Sequence, residues 1–439
     1  GNILEAALPM LVAQILNLLY NIVDRMYIGH IPVIGATALT GVGVTFPIIT
    51  LITAFSSLIG MGGAARAAIF MGRQDNNMAE EILGNCCAAL VCISVVLTTV
   101  ILVFCEPLLM AFCASADTIG YATGYLRIYT AGTIFVQIVM GLNMFIPSQG
   151  FAQVGMKTTI IGAVCNIVLD PVFIFLFDMG VQGAALATII SQAVSAVWVL
   201  VFLTGKKTIL RIRLSRLRLN PKIIGPVLAL GVSPFIMQST ESLLSICFNT
   251  QLQRFGGDLA VGAMAILTSV MQFGMLPLMG LTQGAQPIIS YNFGTGSRER
   301  VHSALRVSLA AAFFCGIIST VAFILFPELL VGLFLRIDNT AARIAIEGFP
   351  YYGVGFIFFI LNLSVIGYYQ CIERVKPAIT FAVLRGFIFL FPCFMVLPEI
   401  MGIKGIWLAL PLSEILTSLL IVIAFQTHST KHYKEPIFK

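Results

Sequence analysis

The 439-residue chain is 59% hydrophobic and only 10% charged, and its formal net charge is +6. Together with a mean hydropathy of +0.99, this composition excludes an ordinary soluble globular protein. The small positive excess gives no support to nucleic-acid binding, because it falls in short loops beside apolar segments and forms no basic domain.

Apolar stretches of about 20 residues, the length that a bilayer-spanning helix needs, recur along the whole chain. A membrane β-barrel is excluded because runs such as 93–104 are apolar on every side, whereas barrel strands alternate. We therefore predict an all-α integral membrane protein. Its twelve predicted transmembrane helices are 3–29, 36–70, 82–105, 121–149, 157–178, 182–204, 223–254, 259–292, 301–326, 343–371, 376–398 and 402–425.

Most of the 25 basic residues fall in alternate connections between these spans, and acidic residues predominate in the others. Lys and Arg close to spans are retained on the cytoplasmic side of a membrane. The pattern predicts a multi-pass protein whose N- and C-termini are both cytoplasmic.

An internal repeat divides the chain into two parts. The segment MGVQGAALA (179–187) recurs as MGIKGIWLA (401–409), and Gln149 corresponds to Gln370 at nearly the same offset. Parallel repeats of this kind build transporters from two lobes related by an axis along the membrane normal. We predict two six-helix lobes with pseudo-two-fold symmetry, arranged as N-terminal lobe 1–204, basic cytoplasmic linker 205–222, C-terminal lobe 223–427 and cytoplasmic tail 428–439.

Polar side chains inside the first predicted span lie on one helical face. Gln14, Asn17, Asn21 and Asp24 follow one another at intervals of three, four and three residues. Polar and ionisable residues are costly in hydrocarbon and are functional candidates by default.

The fifth and sixth predicted spans repeat this spacing, with Asn166 and Asp170 on one and Thr188 and Gln192 on the other. Carboxylate, amide and hydroxyl oxygens suit a hard cation such as Na⁺. Two carboxyls placed close together are equally suited to sharing one proton, because like charges repel. Hydrogen bonding between packed helices is the simpler alternative, although two acids in one lobe favour ion binding.

The second half lacks an equivalent pair of acids, but Glu241 lies in its first predicted span. Methionines and glutamines share a face of the eighth predicted span, and adaptable thioethers suit a pocket that accepts varied shapes. Ordinary packing is the alternative for each of them. Our candidate substrate-binding residues are Asn17, Tyr20, Asn21, Gln192, Glu241, Met271, Gln272 and Met275.

The chain resembles the multidrug and toxic compound extrusion (MATE) family, closest to its bacterial MepA-like and DinF-like members. The resemblance covers nearly the whole chain and is carried by residues at defined places in the first, fifth and sixth spans: Pro9, Tyr20, Asn21, Asp24, NIVLD (166–170) and Thr188.

This resemblance implies a cation-binding and coupling site formed by Asp24, Asn166, Asp170 and Thr188, which would be a metal site if the coupling ion is Na⁺. Glu241 matches a glutamate of NorM-like members, but the tenth-span acid of those members is absent from 349–370. Pro9 is a candidate bend in the first helix, because proline removes a backbone hydrogen bond and crowds the preceding turn; a first-turn proline is the alternative.

The function implied is secondary active multidrug efflux from the bacterial cytoplasmic (inner) membrane. Amphipathic or cationic organic compounds would leave in exchange for Na⁺ or H⁺ by alternating access, with no cofactor and with the protein as a monomer in the lipid bilayer. The alternative is a flippase for lipid-linked oligosaccharide of the same architecture. An ATP-driven pump lacks its phosphate loop here, and an enzyme is not expected, because the four histidines lie at span ends or in the tail.

Overall fold

The computed structural model describes residues 2–112, 114–332, 338 and 340–431. Residues 432–439 of the predicted tail therefore lie outside the described part. Within that part, helices and short connections account for the whole architecture. We call the helices before residue 205 the first half and those after residue 220 the second half.

The described part of the first half contains nine α-helices and ends at Thr204. They are α1 (Asn2–Gly29), α2 (Gly35–Gly72), α3 (Asn76–Val103), α4 (Cys105–Ala111), α5 (Ile119–Ala131), α6 (Thr133–Gln137), α7 (Phe145–Ser148), α8 (Ala152–Pro171) and α9 (Val181–Thr204).

The second half begins at Pro221, and its described part contains eight α-helices. They are α10 (Pro221–Thr295), α11 (Arg298–Leu325), α12 (Pro327–Gly332), α13 (Thr340–Gly353), α14 (Phe356–Cys371), α15 (Val375–Val383), α16 (Leu390–Met401) and α17 (Ile403–Lys431).

Nine helical segments of the described chain are long and apolar enough to cross a membrane, and two bent helix pairs raise the number to eleven. The bent pairs are α5 with the segment 133–148, at 62°, and α13 with α14, at 50°. They are the fourth and tenth predicted spans, so the bend falls at equivalent places in the two halves. The predicted eighth span, 259–292, is the part of α10 after a break at Gly257, where φ is 68°.

Three short π-helical segments interrupt the spans, at Ile138–Leu142, Val172–Leu176 and Leu384–Ile388. Wide turns of this kind are rare in helices and are frequent at functional sites. The second directly follows Asp170 and Pro171, and the third contains Arg385.

The two halves meet where α2 crosses α10 through glycines. A Cβ atom built on Gly231 would collide with the carbonyl oxygen of Leu58, and one on Gly62 would collide with that of Val227. Further along, Gly72 and Gly294 make a second contact of this type. Small residues let helix backbones approach closely in membranes, so this crossing holds the halves together at the end of α2 that carries Arg66 and Arg73.

The segment between the halves packs on the first half. Gln149 Oε1 accepts hydrogen bonds from the backbone nitrogens of Ile209 and Leu210 at 2.9 and 3.0 Å. Glu80 lies 3.1 Å from both Arg213 and Arg216. The basic segment is thus anchored by first-half side chains rather than extended as a free linker.

Candidate functional site

Two carboxyl groups from different helices meet in the first half. Asp24 lies on α1 and Asp170 at the end of α8, and their side chains are within hydrogen-bonding distance of each other. Asp170 is fully buried, with 1% of its surface exposed. Pro171 follows Asp170 and ends α8, and the π-helical segment Val172–Leu176 begins at the next residue. The helix therefore widens from α-helical to π-helical turns directly after this acid.

Asn166 and Thr188 complete this group. The Asn166 amide nitrogen donates to the two carboxyl oxygens of Asp170 at 2.7 and 3.1 Å, and this is the amide orientation that satisfies both side chains. The other end of the amide lies 3.4 Å from Thr188 Oγ1. Thr188 Oγ1 donates to the Ala184 carbonyl at 3.0 Å, which fixes its hydroxyl on α9. The structure therefore brings together all four residues of the predicted cation site.

Tyrosines surround the carboxyl pair. Tyr20 and Tyr125 lie close enough to Asp24 for electrostatic interaction, and Tyr125 also lies close to Thr188. Asp24 Oδ1 is buried and has no hydrogen-bond partner among the described residues. The Arg25 guanidinium lies over the Phe46 ring, 4.6 Å from its centroid, and is near enough to Asp24 for electrostatic interaction. The acid pair thus contains a buried oxygen with unused acceptor capacity.

A cavity of about 330 Å³ lies between the two halves and borders this group. The first half lines it with the carboxamides of Gln14, Asn17, Asn143, Asn166 and Gln192, together with Tyr20. The second half lines it with the carboxamides of Gln238, Gln283, Gln286 and Gln370. We call this space the amide cavity.

Hydrogen bonds cross the amide cavity between the halves. Gln14 Nε2 donates to Gln283 Oε1 at 3.2 Å, and Gln238 Nε2 donates to Ser57 Oγ at 2.9 Å. Five methionines share the walls, among them Met140, Met144 and Met279. None of the lining residues, all within the described chain, carries a formal charge. Polar contacts here come from amides and hydroxyls alone.

The predicted substrate-binding residues do not all lie at the amide cavity. Asn17, Tyr20 and Gln192 line the amide cavity. Asn21 and Gln272 are exposed on α1 and α10 and are not among the lining residues.

Met271 and Met275 belong to the second half's own packing. Met271 is a buried member of the hydrophobic core of that half, and Met275 packs against the same core. Neither lines the amide cavity. Met279, one turn further along α10, is the methionine of this face that does.

Glu241 lies on α10, outside the lining of the amide cavity. Its side chain is exposed. Arg385 is near enough for electrostatic interaction with it. Pro9 is buried inside α1, which begins at Asn2, so Pro9 lies beyond the first helical turn.

Arg385 and Glu414 form a buried ion pair in the second half that sequence reasoning missed. Arg385 Nε donates to Glu414 Oε1 at 2.6 Å, and Asn362 Nδ2 donates to Glu414 Oε2 at 2.7 Å. By the repeat that aligns 179–187 with 401–409, Glu414 corresponds to Gln192 of the first half. The matching serines, Ser191 and Ser413, supported this alignment, but no local pattern linked Glu414 to Arg385.

Tyr125 and the cavity residues Asn143 and Gln238 were also missed. The four-residue spacing of Tyr125 and Tyr129, whose rings stack with centroids 6.3 Å apart, was a usable helical signal in the fourth predicted span. Asn143 carried no signal, because it lies alone among apolar neighbours in sequence, and Gln238 did not stand out within the polar run QSTES (238–242).

Comparisons with known proteins agree with this architecture. A sequence model of the MatE family matches the chain twice, at residues 9–172 and 234–395. The multidrug export protein MepA of Staphylococcus haemolyticus is 24% identical over 419 residues, covering 93% of this chain and 89% of that protein. MepA of Staphylococcus aureus strain MSSA476 is 23% identical over 421 residues, with coverages of 94% and 90%.

Solved structures match along nearly the whole chain. The MATE multidrug transporter DinF-BH, solved in complex with rhodamine 6G, is 31% identical with a TM-score of 0.90, covering 99% of this chain and 96% of that one. The outward-facing structure of a multidrug resistance MATE family transporter of the MOP superfamily gives a TM-score of 0.92 at 20% identity and the same coverages. The chain, a multi-pass membrane protein, therefore belongs to the MATE family of multidrug export transporters.

Proposed function

We propose that this protein is a secondary active antiporter of the bacterial cytoplasmic membrane. It exports amphipathic organic compounds, including cations, through the amide cavity in exchange for an inward-moving ion. Both termini face the cytoplasm, as the distribution of Lys and Arg predicts. The contact between the Asp24 and Asp170 carboxyls beside the amide cavity carries the proposal.

Two ionised carboxylates in contact repel strongly where the dielectric constant is low. The arrangement is stable when one carboxyl holds a proton or when a cation lies between them. The two carboxyls lie within hydrogen-bonding distance of each other, which suits a proton shared between them as the coupling ion in the conformation described. The Asn166 carboxamide faces both oxygens of Asp170; its N–H group fits the shared proton, and its oxygen would be the ligand of a bound Na⁺.

Asn166 connects the ion site to the substrate site. It holds Asp170 and at the same time lines the amide cavity, as does Tyr20 beside Asp24. A change in the charge of the acid pair therefore changes the hydrogen bonds offered to a molecule in the cavity. Conversely, a molecule that takes the Asn166 amide removes a stabilising partner from Asp170.

The energies required are modest. One charge crossing about 100 mV releases about 2.3 kcal/mol. A tenfold difference in substrate affinity between the two conformations needs only about 1.4 kcal/mol. One or two coupling ions per cycle are therefore sufficient to drive export.

The uncharged lining of the amide cavity argues against the alternative function, a flippase for lipid-linked oligosaccharide. Such a lipid carries a pyrophosphate, which calls for basic side chains in the cavity. The described lining contains none. The names of MepA, a multidrug export protein, and of DinF-BH, solved in complex with rhodamine 6G, instead support small organic substrates.

Transport in proteoliposomes tests the proposal. The purified full-length protein is reconstituted, and accumulation of rhodamine 6G is followed under an imposed pH gradient, an imposed Na⁺ gradient, or neither. We expect transport with the pH gradient and none without a gradient. Gradient-independent dye movement, or translocation of a pyrophosphate-linked lipid with no dye transport, would overturn the antiporter proposal.

A further inference from the structure

Three carboxamide oxygens in the wall of the amide cavity lack partners. Asn143 Oδ1, Gln192 Oε1 and Gln238 Oε1 are buried without a hydrogen bond to any described residue. All three residues line the cavity. Buried polar atoms are nearly always paired in proteins, so three unpaired acceptors around one cavity point to a ligand that supplies donors.

These oxygens are able to reach a bound molecule. The terminal torsion of an Asn or Gln side chain is broad, so each amide can turn toward the cavity at little cost. Water that enters the cavity can donate to such oxygens, but a ligand displaces this water and must replace its hydrogen bonds. A ligand without N–H or O–H groups leaves the acceptors unpaired.

The other residues that line the amide cavity indicate what kind of molecule would carry those N–H or O–H donors. Among the described lining residues, Tyr20 is the one aromatic side chain, and methionines such as Met10, Met61 and Met144 provide the apolar surface. Thioethers make favourable contacts with aromatic rings of varied shape. A cationic ligand would find only the Tyr20 ring for cation–π stacking among the described lining residues. The same lining offers it no carboxylate.

We propose that the amide cavity selects planar aromatic compounds by the N–H donors at their edge rather than by their positive charge. This inference rests on the proposed function, since it takes the amide cavity as the substrate site. It names the substrate class more narrowly: primary and secondary amines or amidines on an aromatic core are preferred over fully N-alkylated compounds of the same charge.

Two cationic dyes form a matched pair for the test. Rhodamine 123 carries N–H groups on its xanthene core, and tetramethylrhodamine methyl ester has the same core and charge with every such hydrogen replaced by methyl. Dissociation constants for the full-length protein in detergent are measured by fluorescence polarisation. We expect rhodamine 123 to bind about tenfold more tightly, although its methylated partner is the more apolar molecule.

Substitutions inside and outside the cavity test which side chains cause the difference in affinity between the two dyes. Gln192→Leu and Gln238→Leu should each reduce the affinity ratio, mainly by weakening rhodamine 123. Gln153→Leu removes an exposed carboxamide from α8 outside the cavity and should leave the ratio unchanged. Equal affinities in the wild-type protein, a preference for the methylated dye, binding of neither dye, or loss of the ratio in Gln153→Leu would overturn the donor rule. Gradient-driven transport of rhodamine 6G with equal affinities for the pair would leave the antiporter proposal standing while removing this one.

Discussion

Arg66 on α2 and Glu373, between α14 and α15, form an ion pair that joins the two halves, with Nη1 and Oε1 2.5 Å apart. Both side chains are largely buried, and the Arg66 guanidinium also lies 5.2 Å from the Phe70 ring centroid. The pair lies at the end of the molecule where α2 and α10 cross through glycines. The loop charges predict that this end is cytoplasmic. On this prediction, we expect the ion pair to hold the cytoplasmic side closed.

Glu373→Gln should favour opening of this side. A partly buried ion pair of this type contributes about 1 kcal/mol, so we expect about a fivefold shift in the opening equilibrium. The shift is measured as a change in the distance distribution between spin labels on α2 and α15. Exchange of the two residues, Arg66→Glu with Glu373→Arg, should restore the closed population.

Glu399→Gln is the matched control. Glu399 pairs with Arg254 at 2.9 Å, but both residues belong to the second half and are well exposed. Loss of that pair should leave the distance distribution unchanged. A Glu373→Gln protein with the wild-type distribution would contradict the assignment of Arg66 and Glu373 to closure.

Gly231→Ala tests the helix crossing itself. The new methyl group would clash with the Leu58 carbonyl, a backbone atom that cannot move aside. We expect α2 and α10 to separate, with a fall of about tenfold or more in gradient-driven dye transport. Gly225→Ala, on the same helix, is the control, because its added Cβ meets nothing within 4 Å. Equal transport by the two variants would show that close approach at Gly231 is dispensable.

Glu414→Gln should destabilise the second half. Glu414 is fully buried, and its loss leaves the Arg385 guanidinium, itself 13% exposed, without its carboxylate. Breaking one side of a buried pair costs about 3–5 kcal/mol, whereas replacing both partners costs much less. Thermal unfolding in detergent should therefore show a larger loss for Glu414→Gln than for the double variant Arg385→Met with Glu414→Gln. The reverse order would mean that the ion pair does not stabilise this half.

The helices were predictable from sequence because hydrocarbon enforces long apolar segments with satisfied backbones. The residues around the carboxyl pair were predictable for a related reason. Asn166 and Asp170 lie four residues apart on α8, so one local pattern placed both on the same face, and a charge such as Asp24 in a span is conspicuous. The polar stripe on α1 did not indicate which of its members turn inward, and Asn21 is exposed.

The amide cavity and the ion pair of the second half were not predictable in this way. Arg385 and Glu414 are separated by 29 residues and lie on different helices, and neither has a charged neighbour at helical spacing. Gln238 and Asn143 meet at one cavity only because the halves pack against each other. Contacts between distant segments depend on how the helices cross, and helix periodicity contains no information about that crossing.

Gradient-driven transport by variants of the carboxyl pair tests the central claim, that Asp24 and Asp170 couple ion entry to export. Rhodamine 6G uptake into proteoliposomes under a pH gradient is compared for the wild type, Asp24→Asn, Asp170→Asn and the double variant, each shown by thermal unfolding to be folded. Because the two carboxyls act as a unit, we expect each single variant to lose gradient-driven transport and the double variant to be little worse. Wild-type gradient-driven transport by either single variant would contradict the account.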